Sequence, residues 1–88
     1  MGKEEKMIQR LKSVPSDYTY TEARAIAIRF GYEEHNKGST SGSRVMFFRP
    51  PDRRKILLHK PHPGDIMKKY AVRQFLDRLI ENGDIENE

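Results

Sequence analysis

Three histidines, His35, His59 and His62, are the side chains of this sequence best suited to moving protons near neutral pH. His59-Lys60-Pro61-His62 has the spacing of a metal-ligand pair. The chain has no cysteine, a cation and a rigid proline stand between the two imidazoles, and carboxylates are scarce nearby, so the segment does not read as a metal site. Beside cations, the same histidines suit metal-free cleavage of a ribose phosphodiester. That chemistry needs a base for the 2′-hydroxyl proton, an acid for the leaving oxygen and positive charge around the pentavalent phosphate. His59 or His62 can supply the proton transfer, and Arg44, Lys60 and Lys68 the charge. The competing reading is that His62 only stiffens or caps a connector. Lys37-Gly38-Ser39-Thr40-Ser41-Gly42 is no P-loop, because it lacks the Gly-Lys-Ser/Thr ending and a preceding parallel strand. Its hydroxyls and amides can still grip a phosphate, and a plain hairpin turn has the same composition.

The charge distribution points the same way. The net charge is +4, but residues 37–73 carry ten basic side chains against two acidic ones, while the remainder carries seven against eleven. A positive face of this kind fits a polyphosphate, RNA or DNA, although lysine and arginine also simply keep a small protein soluble. The residues expected to contact RNA are Lys37, Ser39, Ser43, Arg44, Arg53, Arg54, Lys60, Lys68, Lys69 and Arg73. They occupy the turn ending at Arg44, the ends of the second and third strands, and the start of the last helix.

These side chains need a scaffold. Lys3 to Lys12 sets Met7, Ile8 and Leu11 on one stripe, which predicts a short amphipathic helix or ordered arm ended by Val14-Pro15. Thr19-Tyr20-Thr21-Glu22 reads as a capping box. Ala23, Ile26, Ala27 and Phe30 then follow at i, i+3, i+4 and i+7, with Gly31 as the left-handed stop. Tyr32 to Asn36 predicts a weak strand, Ser43 to Arg49 a strong one, and Lys55 to Lys60 a third. Pro50-Pro51-Asp52 forces the turn between the last two. After Pro61-His62-Pro63-Gly64-Asp65, the residues Val72, Phe75, Leu76, Leu79 and Ile80 trace a final helix. Asn82-Gly83 closes it and Ile85 folds back on its last turn. Tyr70 and Phe75 are expected in the core. Glu4-Glu5 and Glu33-Glu34 are expected only to solvate exposed segments.

The order is therefore α-β-β-β-α behind an extra N-terminal helix, an α+β fold whose antiparallel meander has its helices on one face. Val45, Met46, Phe47 and Phe48 alternate sides, so some apolar groups must face away from the helices unless sheet twist or the N-terminal arm hides them.

At 88 residues, 35% hydrophobic and 34% charged, with mean hydropathy −0.87, the chain fits a single domain with a thin core. We divide it into an N-terminal helix or arm at 1–13 and a core at 19–85. No stretch approaches the roughly 20 apolar residues of a membrane span, and the charged N-terminus lacks the apolar run of a secretory signal. The expected location is cytoplasmic, with no membrane association and no small-molecule cofactor.

Several of these segments together resemble the HicA family of bacterial toxin–antitoxin modules. They are Val14-Pro15, Phe30-Gly31-Tyr32, Lys37-Gly38-Ser39, Gly42-Ser43 before Val45-Met46-Phe47-Phe48, His62-Pro63-Gly64, and Arg73-Gln74-Phe75-Leu76 before Gly83. The resemblance runs from about Met7 to Ile85. It implies a double-stranded-RNA-binding-like fold and a small ribosome-independent endoribonuclease that cuts messenger RNA and is neutralised by a HicB-type antitoxin; the histidines and cations read above make that cleavage metal-independent. The family's Gly-Ser-His run is Gly42-Ser43-Arg44 here. Guanidinium stays protonated, so Arg44 can hold phosphate or stabilise developing charge but is a poor base. By the same resemblance His62, in the His-Pro-Gly run, or His59 takes over the proton work. Otherwise the chain is a noncatalytic relative that binds nucleic acid or docks a protein.

Overall fold

The structure is a computed structural model that describes residues 2–36, 44–61 and 64–86. Helix α1 (Lys3–Lys12) has Glu4 and Glu5 in its first turn and Arg10 and Lys12 in its last, which complements the helix dipole. Its apolar stripe anchors it against α2 (Tyr20–Arg29) and α3 (Lys69–Glu81): Leu11 is fully buried, and Met7 and Ile8 pack at the margin of the core. Val14, at φ 45°, reverses the chain in the left-handed region, a strained conformation for a β-branched residue. Its amide donates to the Leu11 carbonyl at 3.0 Å.

Helix α2 starts where the sequence places it. The Glu22 amide donates to the Thr19 hydroxyl at 3.1 Å, and the Thr19 amide donates back to the Glu22 carboxylate at 3.0 Å. Ala23, Ile26 and Ala27 are buried. Gly31, at φ 92°, ends the helix and swings the chain into the sheet.

Strands β1 (Glu33–Asn36), β2 (Arg44–Arg49) and β3 (Arg54–His59) form an antiparallel sheet in the order β1-β2-β3. Val45 faces Leu58 and Phe47 faces Ile56 across β2 and β3, and all four are buried beneath the helices. The Tyr20 ring stacks on Phe47 with centroids 6.3 Å apart. Successive side chains alternate sides, so the other face carries Arg44, Met46 and Phe48 from β2, Lys55, Leu57 and His59 from β3, and Glu33 and His35 from β1. Neither twist nor α1 hides it: Leu57 is 71% exposed. Val72, Phe75, Leu76 and Leu79 seat α3 on the covered face, and Gly83, at φ 83°, lets Ile85 fold back so that its amide reaches the Leu79 carbonyl at 3.3 Å. The α+β architecture and the α-β-β-β-α order are therefore as read from the sequence.

Three smaller expectations need correction. Tyr70 is 65% exposed instead of in the core, because it lies on the side of α3 opposite the buried stripe. Phe30 is only partly buried, since it caps α2 where the helix leaves the core. Glu34 does more than solvate its strand. Its position alternates onto the helix side of β1, where it accepts hydrogen bonds from the Tyr20 hydroxyl and from Arg24 Nε, the latter at 2.8 Å. Among the described residues no helix is long and apolar enough to cross a membrane.

Candidate functional site

The uncovered sheet face is where reactive and cationic side chains meet solvent. Arg44 and His59 are register partners at the β2–β3 edge of that face, which sets their Cβ atoms about 5 Å apart. Both are exposed. Next along the sheet, Met46 faces Leu57, and Phe48 faces Lys55. A shallow groove of about 580 Å³ runs over Arg44, Met46, Lys55, Leu57 and His59. A second, of about 610 Å³, continues from Lys55, Leu57 and His59 to Gln74, Asp77, Arg78 and Glu81 on α3, where the two carboxylates balance the cations. The first groove, shallow, partly apolar and walled by cations, suits an extended polyanion better than a small enclosed ligand.

The remaining expected contact residues divide between the two ends of the sheet. Lys60, just past β3, sits with its ammonium 5.4 Å from the centroid of the Tyr20 ring. Lys68 and Lys69 are exposed at the start of α3, and Arg73 is exposed one turn further on. These lie at the Arg44–His59 end, since Tyr20 and Thr21 of α2 are tied to Asp65 ahead of α3 by a 2.7 Å backbone bond and a 2.6 Å side-chain bond. Arg53 and Arg54 lie at the other end, about 17 Å away along β2. Arg53, at φ 57°, forms the β2–β3 turn.

Arg54 is drawn into a structural network. Its guanidinium pairs with Asp52 at 2.9 Å and with Asp84 at 3.3 Å. Arg49 bridges the same two carboxylates, at 2.8 and 3.0 Å. The Tyr32 hydroxyl donates to Asp84 at 2.6 Å and receives Asn82 at 2.9 Å. The Asp52 carboxyl is held below its ordinary range by its hydrogen bonds from Arg49, and Arg54 adds to the effect. Parity explains the placement: Arg49 and Arg54 alternate onto the helix side of the sheet. The structure therefore does not bring Arg53 and Arg54 together with Arg44 and His59. Lys37, Ser39, Ser43 and His62 lie outside the described residues.

Sequence reasoning passed over two residues of the uncovered face. His35 of β1 pairs with Met46, its ring meets Phe48 edge-on at 6.3 Å, and its Nε2 lies 3.3 Å from Glu33. Lys55 pairs with Phe48 on the same face, outside the set of residues expected from the sequence. The period-two pattern Lys55, Leu57, His59 could have shown that it shares a face with the histidine.

Neither a curated protein nor a solved structure matches the chain. The family model described as "HicA toxin of bacterial toxin-antitoxin" matches residues 20–79. That span takes in α2, the whole sheet and most of α3, and leaves α1 outside. With more than half its length matched, including the face that carries Arg44 and His59, the chain belongs to the HicA family and is the toxin of a toxin–antitoxin module, with an antitoxin as its partner.

Proposed function

We propose that this toxin is a metal-independent endoribonuclease that cuts messenger RNA on its uncovered sheet face and is neutralised by a HicB-type antitoxin. The observation that carries the reading is the pairing of Arg44 with His59 at facing positions on exposed strands, beside Lys55 and an open groove. In this reading a histidine takes the proton of a ribose 2′-hydroxyl and the 2′ oxygen attacks the adjacent phosphorus. The bond to the 5′ oxygen breaks, and a second histidine returns a proton to that oxygen. The products are a 2′,3′-cyclic phosphate and a 5′-hydroxyl. His59 and His62 share the proton transfers. Arg44 binds the non-bridging oxygens and offsets the charge that builds on them, a task for a permanent cation and not for a base. Lys60, Lys68, Lys69 and Arg73 track the flanking phosphates, with Lys37, Ser39 and Ser43 expected to assist. Arg53 and Arg54 are left out of this surface.

The test is cleavage of a messenger RNA by the purified toxin in EDTA. His59→Ala and His62→Ala are each expected to lower the rate by about 10²–10⁴-fold, the usual contribution of one acid or base. Arg44→Ala should lower binding or turnover while the melting temperature holds, and Arg53→Ala should leave cleavage unchanged. Undiminished cleavage by the double histidine variant would overturn the assignment. Tight, salt-sensitive binding that leaves RNA intact would make the protein a noncatalytic RNA binder.

A further inference from the structure

The first turns of α3 carry an unusual surface. Tyr70 is 65% exposed and Ile66, just before the helix, is 59% exposed, in a segment that also exposes Lys68, Lys69 and Arg73. A lone exposed aromatic means little. This one has two properties that give it meaning. First, it is surrounded by cations: Lys68 and Lys69 precede it, and Arg73 lies one turn on along the same helical face. The only described acidic partner of these three is Asp77, 3.8 Å from Arg73 in a pair exposed on both sides. Such a pair holds weakly, so the guanidinium can turn to a phosphate. Second, Tyr70 is aligned with the groove. Positions i, i+4 and i+7 share one side of a helix, so Tyr70, Gln74 and Asp77 form a line. Gln74 and Asp77 already wall the groove that contains His59. The Arg54–Asp84 pair sets the C-terminal end of α3 at the start of β3, so α3 runs antiparallel to β3, and Tyr70 lies one helical turn before Gln74, towards the His59 end.

An exposed phenol ring flanked by ammonium and guanidinium groups fits an unstacked nucleobase with its phosphates. A base lies on the ring face while the cations take the backbone on either side. A duplex cannot use such a platform, because its bases are already stacked. We infer that Tyr70 is a base-stacking residue that makes this surface select single-stranded RNA, holding a nucleotide next to the one cut at the His59 end. The inference rests on the proposed ribonuclease reading and adds the form of RNA taken and the residue that selects it.

The chain contains no tryptophan, so Tyr70→Trp creates a single indole reporter at the platform. On titration with an unpaired oligoribonucleotide, the Trp emission should be quenched, and a duplex of the same sequence should leave it nearly unchanged. In direct binding at low salt, Tyr70→Ala should weaken the affinity for the single strand by about 10-fold, within the range known for one base stacked on an aromatic. Tyr70→Phe should stay within about twofold of wild type. Both variants should melt with the wild type, because the side chain is largely outside the core. Equal single-strand affinity for Tyr70→Ala and wild type, or equal quenching by duplex, would overturn the stacking role while leaving the ribonuclease reading intact. A wild type that binds neither form of RNA would overturn that reading, and the stacking role with it.

Discussion

Burial in this protein divides residues that look alike in sequence. Phe30 and Phe75 are both aromatic and both fall on an apolar helical stripe. Phe75 is fully enclosed between α3 and the sheet, whereas Phe30 sits at the end of α2 with part of its ring in solvent. Truncating a fully packed phenylalanine removes its transfer free energy and leaves a cavity, which together cost about 3–5 kcal/mol. A ring at the margin leaves a dent that water fills, so the second term largely vanishes. Phe75→Ala is therefore expected to lose about 3–5 kcal/mol in urea unfolding, and Phe30→Ala about 1–2 kcal/mol. Equal losses would show that the Phe30 ring is as enclosed as that of Phe75. Tyr18, Tyr20 and Tyr32 show the reverse case. Each keeps less than 5% of its surface exposed, although each adjoins polar residues in sequence. Tyr20 and Tyr32 manage this by giving their hydroxyls to Glu34 and Asp84.

The elements were the legible part of the sequence, because each end was marked by a local device. Thr19 and Glu22 form the box that starts α2, Gly31 and Gly83 take positive φ at the ends of α2 and α3, and Pro50-Pro51 turns β2 into β3. Glu22 serves two elements at once. Besides capping α2 it receives the guanidinium of Arg10, which also reaches Asp17 at 3.2 Å, so one carboxylate ties α1 to the start of α2. Thr19→Ala removes only the cap and should cost about 1 kcal/mol. Glu22→Ala removes the cap partner and the bridge, and should cost measurably more and speed amide exchange in α1; equal losses for the two variants would mean that the bridge adds nothing. Less legible was which side of an element a residue takes in a fold of mixed neighbours. Tyr70 read as core because its neighbours in sequence are core, yet its helical angle opposes theirs. Arg54 and Arg44 fall in one basic interval of the sequence, which hides their separation in space. An antiparallel hairpin puts its turn and its open ends about one strand length apart. Strand parity then sends Arg54 inward to Asp84 and leaves His59 outward beside Arg44.

Across the whole molecule, charge is sorted into two working regions. At the Arg44–His59 end, Arg44, His59, Lys60, Lys68 and Lys69 stand exposed. A second set of charges, the carboxylates of Glu22, Glu34, Asp52 and Asp84, is matched to arginines and tyrosines in contacts that hold the helices and strands together. This second set makes stability depend on pH in a defined way. The Glu22 carboxyl is held below its ordinary range chiefly by its hydrogen bond from Arg10, against an opposing effect of burial. Burial would raise Glu34, but hydrogen bonds from Tyr20 and Arg24 outweigh it and leave the group lowered. A carboxylate whose folded pKa is depressed contributes stability above its unfolded value, roughly 4.3, and loses it as pH falls through the folded value. On the alkaline side the Tyr32 phenol is pushed up to about 12, first by burial and then by its bond to Asp84. Tyr18 and Tyr20 are also raised, chiefly by burial. For these groups the contribution is complete below the unfolded value, roughly 10, and is lost as pH rises through the folded one. Urea midpoints should therefore be flat from about pH 5 to 9, fall in acid below about pH 4 and fall again above about pH 10. Glu34→Gln should lower the plateau and make the acid limb shallower, because the variant has no proton to take up at that position. An acid limb of unchanged slope in Glu34→Gln would show that the Tyr20–Glu34–Arg24 cluster does not govern acid unfolding.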